Sequence, residues 1–318
     1  MDVRQLRYLS CIIEQGSFSR AAAVLHIAQP ALSLHVKNME DELGAKLLFR
    51  SPKGVQPTEA GSILLRHARI ILDQVSIAEE EIRGHEAEPS GEVRLGLPGT
   101  ISEIISVSLI QATHRRYPKI KLRLAEAMSG FVLDWMREGR VDLAVLYGKV
   151  SDHGIVTHAI LEEELCFFGP TVRDEDLPPP GTELSFSDTL RLPLIAPSLG
   201  HGLRDLLDRQ ADAAGSGLRP VIEVDSYNNI KELVRNGFGY SILPYHAISK
   251  EVAEDELHRW PLERPGIRRS VYLASSTARP MTKAVAAVHS LVKEILTRLV
   301  QNGEWIGARI VAEAEGAA

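Results

Sequence analysis

Two groups of residues carry types and spacings that suit recognition chemistry. The first follows a proline: Gln29, Ala31, Ser33, Leu34, His35, Lys37 and Asn38 are mostly short or able to hydrogen-bond, and Pro30 fits the first turn of a helix, where its missing N–H costs nothing. Near a helix N-terminus a glutamine suits the edge of adenine, serine is permissive, and the helix end itself favours phosphate. The second group is a set of short polar segments: Pro98-Gly99-Thr100, Ser129-Gly130, Tyr147-Gly148, Pro197-Ser198-Leu199-Gly200-His201 and Ser226-Tyr227-Asn228. Hydroxyls, amides and helix starts together suit a small anion such as a carboxylate. No acidic cluster is evident beside these segments, so an anion is expected there rather than a metal or a cationic ligand.

The elements that must hold the first group read as two short helices. Gly16 to Leu25 looks like a helix start and a helix, with Ser19 as the expected cap and Phe18, Ala22 and Leu25 on one face. The periodicity breaks at His26-Ile27-Ala28-Gln29, and the next helix is expected to bury Leu32, Val36, Met39 and Leu43. Alanines at the contact and a tight turn are ingredients of a helix-turn-helix, whose second helix lies in the major groove. Leu47-Leu48-Phe49-Arg50 and Val55-Gln56-Pro57-Thr58 then pair as a hairpin around Ser51-Pro52-Lys53-Gly54, which puts Arg50 and Lys53 at an edge suited to phosphate. On periodicity alone an ordinary helical hairpin with a solvated face remains open.

The run Ser17-Phe18-Ser19-Arg20-Ala21-Ala22, the block Leu25-His26-Ile27-Ala28-Gln29-Pro30-Ala31-Leu32-Ser33, then Leu43-Gly44, Leu47-Leu48-Phe49-Arg50 and Pro57-Thr58-Glu59-Ala60-Gly61 resemble the LysR-type transcriptional regulators in order and spacing. The resemblance implies a winged helix-turn-helix with Gln29, Pro30, Ala31, Ser33 and residue 34 toward the major groove. Candidates for DNA contact are Ser17, Phe18, Ser19, Arg20, Gln29, Pro30, Ala31, Ser33, Leu34, His35, Lys37, Arg50 and Lys53. One position departs: Leu34 stands where the family commonly has Arg or Gln, and an apolar side chain can only meet a thymine methyl or pack on sugar.

Thr58 caps the next pattern, in which Leu64, Ala68, Ile71, Val75, Ala78 and Ile82 repeat at spacings of four and three, a heptad seam. From Thr58 to Gly84 such a helix runs about 40 Å and wants a partner helix, most simply its twin from a second copy. The resemblance favours that dimer, or a dimer of dimers, over packing on the same chain. His85 to Gly91 reads as a polar hinge.

Beyond the hinge the texture alternates. Strands are expected at Val93–Leu97, Lys121–Ala125 and Val141–Leu146, with helices at Ile101–Arg116 and Phe131–Glu138. A second set follows: strands near Leu165–Gly169, Leu194–Ala196, Pro220–Val224 and the segment Gly237–Pro244, with helices at Leu203–Ala213 and Tyr227–Arg235. The chain then returns with strand Ser270–Ala274 and helix Ala284–Leu299. This order argues for two α/β lobes with a cleft at the strands' carboxyl ends. The fold class expected is α/β with an N-terminal α part: a winged helix-turn-helix, a long linker helix and a two-lobed α/β effector domain similar to periplasmic solute-binding proteins. The expected boundaries are 1–58 for the DNA-binding domain, 59–90 for the linker helix and hinge, 91–303 for the effector domain and 304–318 for a tail. Within the effector domain, lobe I is 91–162 with 268–303 and lobe II is 163–267. The expected ligand residues are Pro98, Gly99, Thr100, Ser129, Tyr147, Ser198, His201 and Asn228; the resemblance, which includes Asn236 to Pro244, places Thr100, Ser129, Ser198 and Asn228 near the effector. His26-Ile27-Ala28-Gln29-Pro30, Pro98-Gly99-Thr100 and Leu143 to Gly148 look most like the nitrogen-assimilation control subgroup, whose members can act without a dedicated inducer. A regulator with an unliganded cleft is therefore the alternative.

Composition narrows the classes. The chain has 318 residues, a net charge of −6 and two cysteines, Cys11 and Cys166. Its length suits about two domains and excludes a small cysteine-stapled scaffold. Net acidity means that any DNA-binding surface must be locally basic. Unpaired buried thiols are expected. No dinucleotide fingerprint, Gly-x-Ser-x-Gly, His-Glu-x-x-His or Cys-x-x-Cys occurs, so neither catalysis, a cofactor nor a metal is expected. The start Met1-Asp2-Val3-Arg4-Gln5 lacks the basic and apolar blocks of a signal peptide, and no apolar run is long enough to span a membrane, so a cytoplasmic protein is expected rather than a free solute-binding protein. The expected partners are an imperfectly palindromic double-stranded DNA site, the chain itself and a small metabolite, with RNA polymerase a further candidate.

Overall fold

A computed structural model of the chain describes residues 1–52, 54–82, 88–150, 152, 154–172, 177–277 and 281–311. It divides into two compact units, Met1–Glu88 with Ser276–Lys283, and Pro89–Ser275 with Ala284–Ala318.

The first unit opens with a helix that the pattern reading left out, α1 (Val3–Gln15). Its start is a capping box, the Asp2 carboxylate accepting from the Gln5 N–H at 2.8 Å and the Gln5 side chain from the Asp2 N–H at 2.9 Å. Gly16 ends it in a left-handed conformation. Helix α2 (Phe18–Leu25) is capped by Ser17, whose hydroxyl accepts from Arg20 N, and not by Ser19, which lies one turn position too late and is exposed. His26 closes α2 at φ +53°, and α3 (Gln29–Leu43) begins with Pro30 in its first turn. Leu32, Val36 and Met39 are fully buried against Leu9, Ile12 and Ala21 of α1 and α2. Leu43, expected with them, is exposed because it falls on the helix's last turn, past the reach of that core.

The wing is the antiparallel hairpin β1 (Leu48–Ser51) and β2 (Gly54–Pro57), with Arg50 opposite Val55. Backbone and side-chain contacts fasten it. Val55 N donates to Gly16 O at 2.9 Å, an approach so close that a Cβ on Gly54 would stand 2.9 Å from that same oxygen. Glu40, buried on α3, accepts from Leu47 N at 3.0 Å and pairs with Lys46 at 2.7 Å. Burial works against its charge, yet these donors hold its carboxyl below the ordinary range.

Thr58 caps α4 (Glu59–Ile82), its hydroxyl accepting from Gly61 N at 3.0 Å. The first turns of α4 pack within their own unit: Leu65 and Ala68 are buried, and Leu64 packs on the α1–α3 core. That corrects the expected seam at its first two positions, Leu64 and Ala68. The later ones differ: Val75 is half-buried, Ile71 and Ala78 are exposed, and Ile82 is 85% exposed.

The second unit begins with β3 (Gly91–Leu97), α5 (Gly99–Arg116), β4 (Ile120–Glu126), α6 (Ser129–Arg137) and β5 (Leu143–Tyr147), in which β3 pairs in parallel with both β4 and β5. The sixteen-residue strand β6 (Ile155–Pro170) then runs through both lobes. There follow α7 (Phe186–Thr189), β7 (Ile195–Ala196), α8 (Gly202–Ala213), β8 (Ile222–Glu223), α9 (Tyr227–Arg235), β9 (Ser241–Pro244), α10 (Tyr245–Ala253) and β10 (Leu257–Pro261). Strand β11 (Arg268–Ser276) returns antiparallel to β5, and α11 (Lys283–Gln301) and β12 (Ala308–Ile310) follow.

The far half of β6 carries β9 and β10, and its near half carries β12. Each lobe buries its own core, Leu95, Ile105, Val145 and Val288 in one and Phe167, Ile230, Ile242 and Trp260 in the other. The expected tail from 304 is corrected in its first part: Trp305 is 1% exposed and Arg309 pairs with Glu162 across β12 and β6. An apolar indole and a free strand edge both gain by docking there.

A Cβ added at Gly61 would lie 1.9 Å from Leu47 O, so α4 and the wing can approach this closely only with glycine there. Gly61→Ala is expected to destabilise the first unit by about 2–3 kcal/mol, the scale of overpacking in a fixed backbone contact, read as a lower urea midpoint.

Candidate functional site

In the first unit α3 presents Pro30, Leu34 and Lys37 at helical spacings of four and three, opposite the buried stripe of Leu32, Val36 and Met39. Gln29, Ala31 and Lys37 are exposed, Leu34 is 57% exposed and Ser33 is half-buried. Arg50 reaches from the wing to donate from Nη1 to Ser33 Oγ at 3.1 Å, and its guanidinium lies 4.3 Å over the Phe18 ring. These contacts fix the wing's angle to α3. Phe18, a candidate for DNA contact, is instead a core residue 7% exposed, because its ring fills the space between α2 and the wing. His35 turns toward α1, its ring 5.0 Å from that of Tyr8. Ser17 is occupied as a cap, while Ser19 and Arg20 are exposed. Lys53 lies outside the described residues.

In the second unit a cavity of about 280 Å³ opens between the lobes. Four helix starts line it: Pro98 to Thr100 for α5, Met128 and Ser129 for α6, His201 to Leu203 for α8, and Ser226 to Asn228 for α9. The starts of α8 and α9 are capped by side chains, His201 Nδ1 accepting from Leu203 N and Ser226 Oγ from Asn229 N. Those of α5 and α6 are not, so their first N–H groups keep their positive end toward the cleft. Seven of the eight expected ligand residues, Pro98, Gly99, Thr100, Ser129, Tyr147, His201 and Asn228, line this cavity.

Ser198 is the exception. Its hydroxyl and N–H both donate to Asp225, at 2.5 and 3.0 Å, so it positions a carboxylate of the cleft and holds that carboxyl below its ordinary range. Ser129 lines the cavity, but its hydroxyl accepts from Tyr147 N at 3.1 Å. Tyr147 in turn shares a short hydrogen bond of 2.5 Å with Thr100 Oγ1. His201 is pushed toward its neutral form, by burial first and then by the charge of Arg269.

A buried charge pair that the sequence does not announce, Arg269 with Glu163, dominates the electrostatics beside the cleft. Arg269, on β11, is 6% exposed; its guanidinium stacks 3.5 Å from the Tyr147 ring and Nη1 donates to the Tyr227 hydroxyl at 3.4 Å. Its Nε pairs with Glu163, on β6 and 1% exposed. Trp305 Nε1 also donates to Glu163, at 3.2 Å, and His246 Nδ1 lies 3.1 Å away. Burial alone would raise Glu163, but Arg269 and His246 bring it down to about 2. The expectation of no acidic cluster beside the polar segments is also overturned. Glu103, Glu126 and Asp225 line the cavity, carried there by α5, the end of β4 and the loop before α9, which no local spacing connects.

Comparison with known proteins agrees with both units. A family profile described as bacterial regulatory helix-turn-helix protein, lysR family, matches residues 3–62, and one described as LysR substrate binding domain matches residues 86–297. The chain belongs to the LysR family. It is similar to the nitrogen assimilation regulatory protein nac of Escherichia coli K12, 33% identical over 307 residues covering 96% of this chain and 99% of that one. The nac protein of Klebsiella aerogenes is 31% identical over 94% of this chain and 95% of its own. The expected nearness to that subgroup agrees with these matches. Among solved structures, a full-length OxyR variant of Pseudomonas aeruginosa superposes with a TM-score of 0.76 at 23% identity over 95% of both chains, a likeness of fold. This LysR-type regulator thus joins a DNA-binding helix-turn-helix domain to an effector-binding α/β domain, as its relatives do.

A relative from Dickeya chrysanthemi, 28% identical over 92% of this chain and 95% of its own, is named a hydrogen peroxide-inducible genes activator. In this LysR-type chain both thiols are unpaired, Cys166 buried and Cys11 half-buried. Burial raises both, far above the ordinary range for Cys166, with Glu14 adding to the effect at Cys11. A disulfide-exchange reagent such as Ellman's at pH 8 is expected to leave Cys166 unlabelled in the folded chain and to label it within seconds in denaturant.

Replacing Glu163 strands a buried guanidinium. Glu163→Gln is expected to lose about 3–5 kcal/mol at pH 7 in urea unfolding. Because the folded carboxyl titrates well below its unfolded value, the pair's contribution is complete above the ordinary carboxylate range and disappears as the pH falls toward 2. The gap between variant and parent should therefore narrow in acid.

Proposed function

We propose that this regulator reads an imperfectly palindromic operator as a dimer or a dimer of dimers in the cytoplasm. A small metabolite with an anionic group, held between the lobes, changes the geometry of the DNA-bound assembly. The observation that carries this reading is the convergence of the α5, α6, α8 and α9 starts on one cavity, two of them without side-chain caps. Unsatisfied N–H groups directed at a cavity favour negative charge, and pockets near 300 Å³ suit compact ligands.

On DNA, Gln29, Ala31, Ser33 and Leu34 face the base edges, Leu34 through a thymine methyl, while Arg20, Lys37, Arg50 and Lys53 meet phosphates. The two recognition helices of a dimer then lie about 34–36 Å apart, one turn of duplex. The later apolar positions of α4 (Ile71, Val75, Ala78 and Ile82) support the pairing of two copies, since a helix with an exposed apolar stripe gains by covering it. RNA polymerase is a further partner consistent with a regulator bound at promoters.

Footprinting of the full chain on promoter fragments, with and without candidate metabolites, tests the whole reading. A footprint that neither prefers a promoter over random duplex nor changes with any metabolite removes it. Within that assay Lys37→Ala and Arg50→Ala should weaken binding to all sequences alike, each lowering the slope of log affinity against log salt by about 0.9 per lost phosphate contact. Leu34→Ala should leave the slope unchanged and relax preference at one base step.

A further inference from the structure

Naming the ligand's chemistry goes one step further and rests on the cleft being the ligand site. The cavity lining contains three carboxylates, Glu103, Glu126 and Asp225, and among the described residues neither a lysine nor an arginine. None of the three makes an ion pair among the described residues. Glu103 accepts a long hydrogen bond from Asn228, at 3.5 Å, and Asp225 is held by the uncharged Ser198. Glu126 stands beside the start of α5, its Oε1 3.3 Å from where a Cβ on Gly99 would lie. His201, the remaining titratable nitrogen of the wall, is driven toward neutrality, so it does not balance them.

Positive potential comes instead from below. The starts of α5 and α6 lack side-chain caps, and in contact with Tyr147 and Tyr227 lies Arg269, whose buried Nη2 has no hydrogen-bond partner among the described residues. The charge of Arg269 is felt at His201 in the cleft wall. The cavity is therefore two-signed: uncapped helix starts and hydroxyls line it together with three exposed carboxylates, one of which, Glu126, stands at the α5 start itself. A plain di- or tricarboxylate satisfies the helix starts and meets repulsion from the carboxylates; a plain amine does the reverse. Among the described residues no three acidic, histidine or cysteine groups come together as ligands for one metal ion, so the carboxylates suit hydrogen bonding to an organic cation.

We propose that the cleft takes a small zwitterion of the amino-acid class, its carboxylate at the uncapped starts of α5 and α6 beside Thr100 and its protonated amine at Glu126, Glu103 and Asp225. Both ends of such a ligand form charge-assisted hydrogen bonds, and its protonated amine answers the Glu126 carboxylate that stands at the α5 start beside the ligand's own. Discrimination then has two independent parts, because removing either end of the ligand leaves protein groups of the opposite sign unmet.

The test is calorimetric titration of the full-length protein at pH 7 with the twenty common L-amino acids, preceded by a thermal-shift survey. Each hit is compared with its deaminated acid and its decarboxylated amine. The expected result is at least one amino acid that binds, with both counterparts at least about tenfold weaker, the loss of one charge-assisted hydrogen bond. Glu126→Gln and Glu103→Gln, both at exposed positions, should weaken the amino acid about tenfold while leaving or improving the deaminated acid. Binding of a deaminated acid, or of a dicarboxylate such as succinate, as tightly as any amino acid would overturn the zwitterion assignment and leave the cleft as an anion site. Binding of the decarboxylated amine at full strength would overturn it in the other direction. If none of the three classes shifts the melting temperature or yields heat, both this assignment and the reading of the cleft as a ligand site fail.

Discussion

A guanidinium and a carboxylate buried side by side where two long strands run together govern the second unit. Glu163 on β6 and Arg269 on β11 are each almost wholly withdrawn from water, a placement that neither charge would survive alone. The pair is sustained because each member has other neighbours: Trp305 donates to the carboxylate, with His246 Nδ1 3.1 Å from it, and the Tyr147 ring and Tyr227 hydroxyl attend the guanidinium. Tyr147 ends a strand of one lobe and Tyr227 begins a helix of the other. A single rigid fork thus spaces the two walls of the cleft, a task for which the planar, always charged arginine is better suited than lysine. The docking of β12 follows from the same centre, since Trp305 supplies one of the donors that the buried carboxylate requires.

The same economy of charge is visible in the first unit. A chain of net charge −6 can approach DNA only if its acidic groups are withdrawn from the reading face. Glu40 is withdrawn by burial beneath the wing, where it accepts from Leu47 N, and Glu42 by its pairing with the N-terminal ammonium at 2.7 Å. Arg20, Lys37 and Arg50 stay outside. Arg50 has two tasks, since its hydrogen bond to Ser33 ties the wing to the helix it flanks while its remaining donors stay available.

What was legible in the sequence was what neighbouring residues decide. The turn around His26, the opening of α3 at Pro30, the cap at Thr58 and the alternation of strands and helices from Gly91 onward all rest on contacts a few residues apart, and the elements lie within a few residues of their expected ends. Helix α1 is equally local, its Asp2–Gln5 capping box lying within four residues of the chain. The first half of β6 and all of β12 were not local. Both depend on pairing between residues such as Glu163 and Ala308, and no periodicity announces that partner. The seam of α4 was half legible: a heptad pattern marks an apolar stripe but does not say which helix covers it, and Leu64 and Ala68 are taken by the unit's own core.

The cleft shows why residue types alone give half of a binding site. Hydroxyl-bearing segments pointed to the correct loops, because small polar residues collect where helices start, as Ser226 does at the cap of α9. Once folded, most of those side chains are spent on the protein itself: Ser129 holds Tyr147, Ser198 holds Asp225, Ser226 and His201 cap their own helices, and Thr100 is bound to Tyr147. What remains for a ligand is what those side chains do not cover, the bare N–H groups of α5 and α6, together with carboxylates brought from β4, α5 and the α9 loop. Backbone donors have no signature in a sequence, and carboxylates far apart along the chain announce nothing until the lobes bring them together. The sign of the charge a site prefers is therefore set by groups other than those that reveal where the site is.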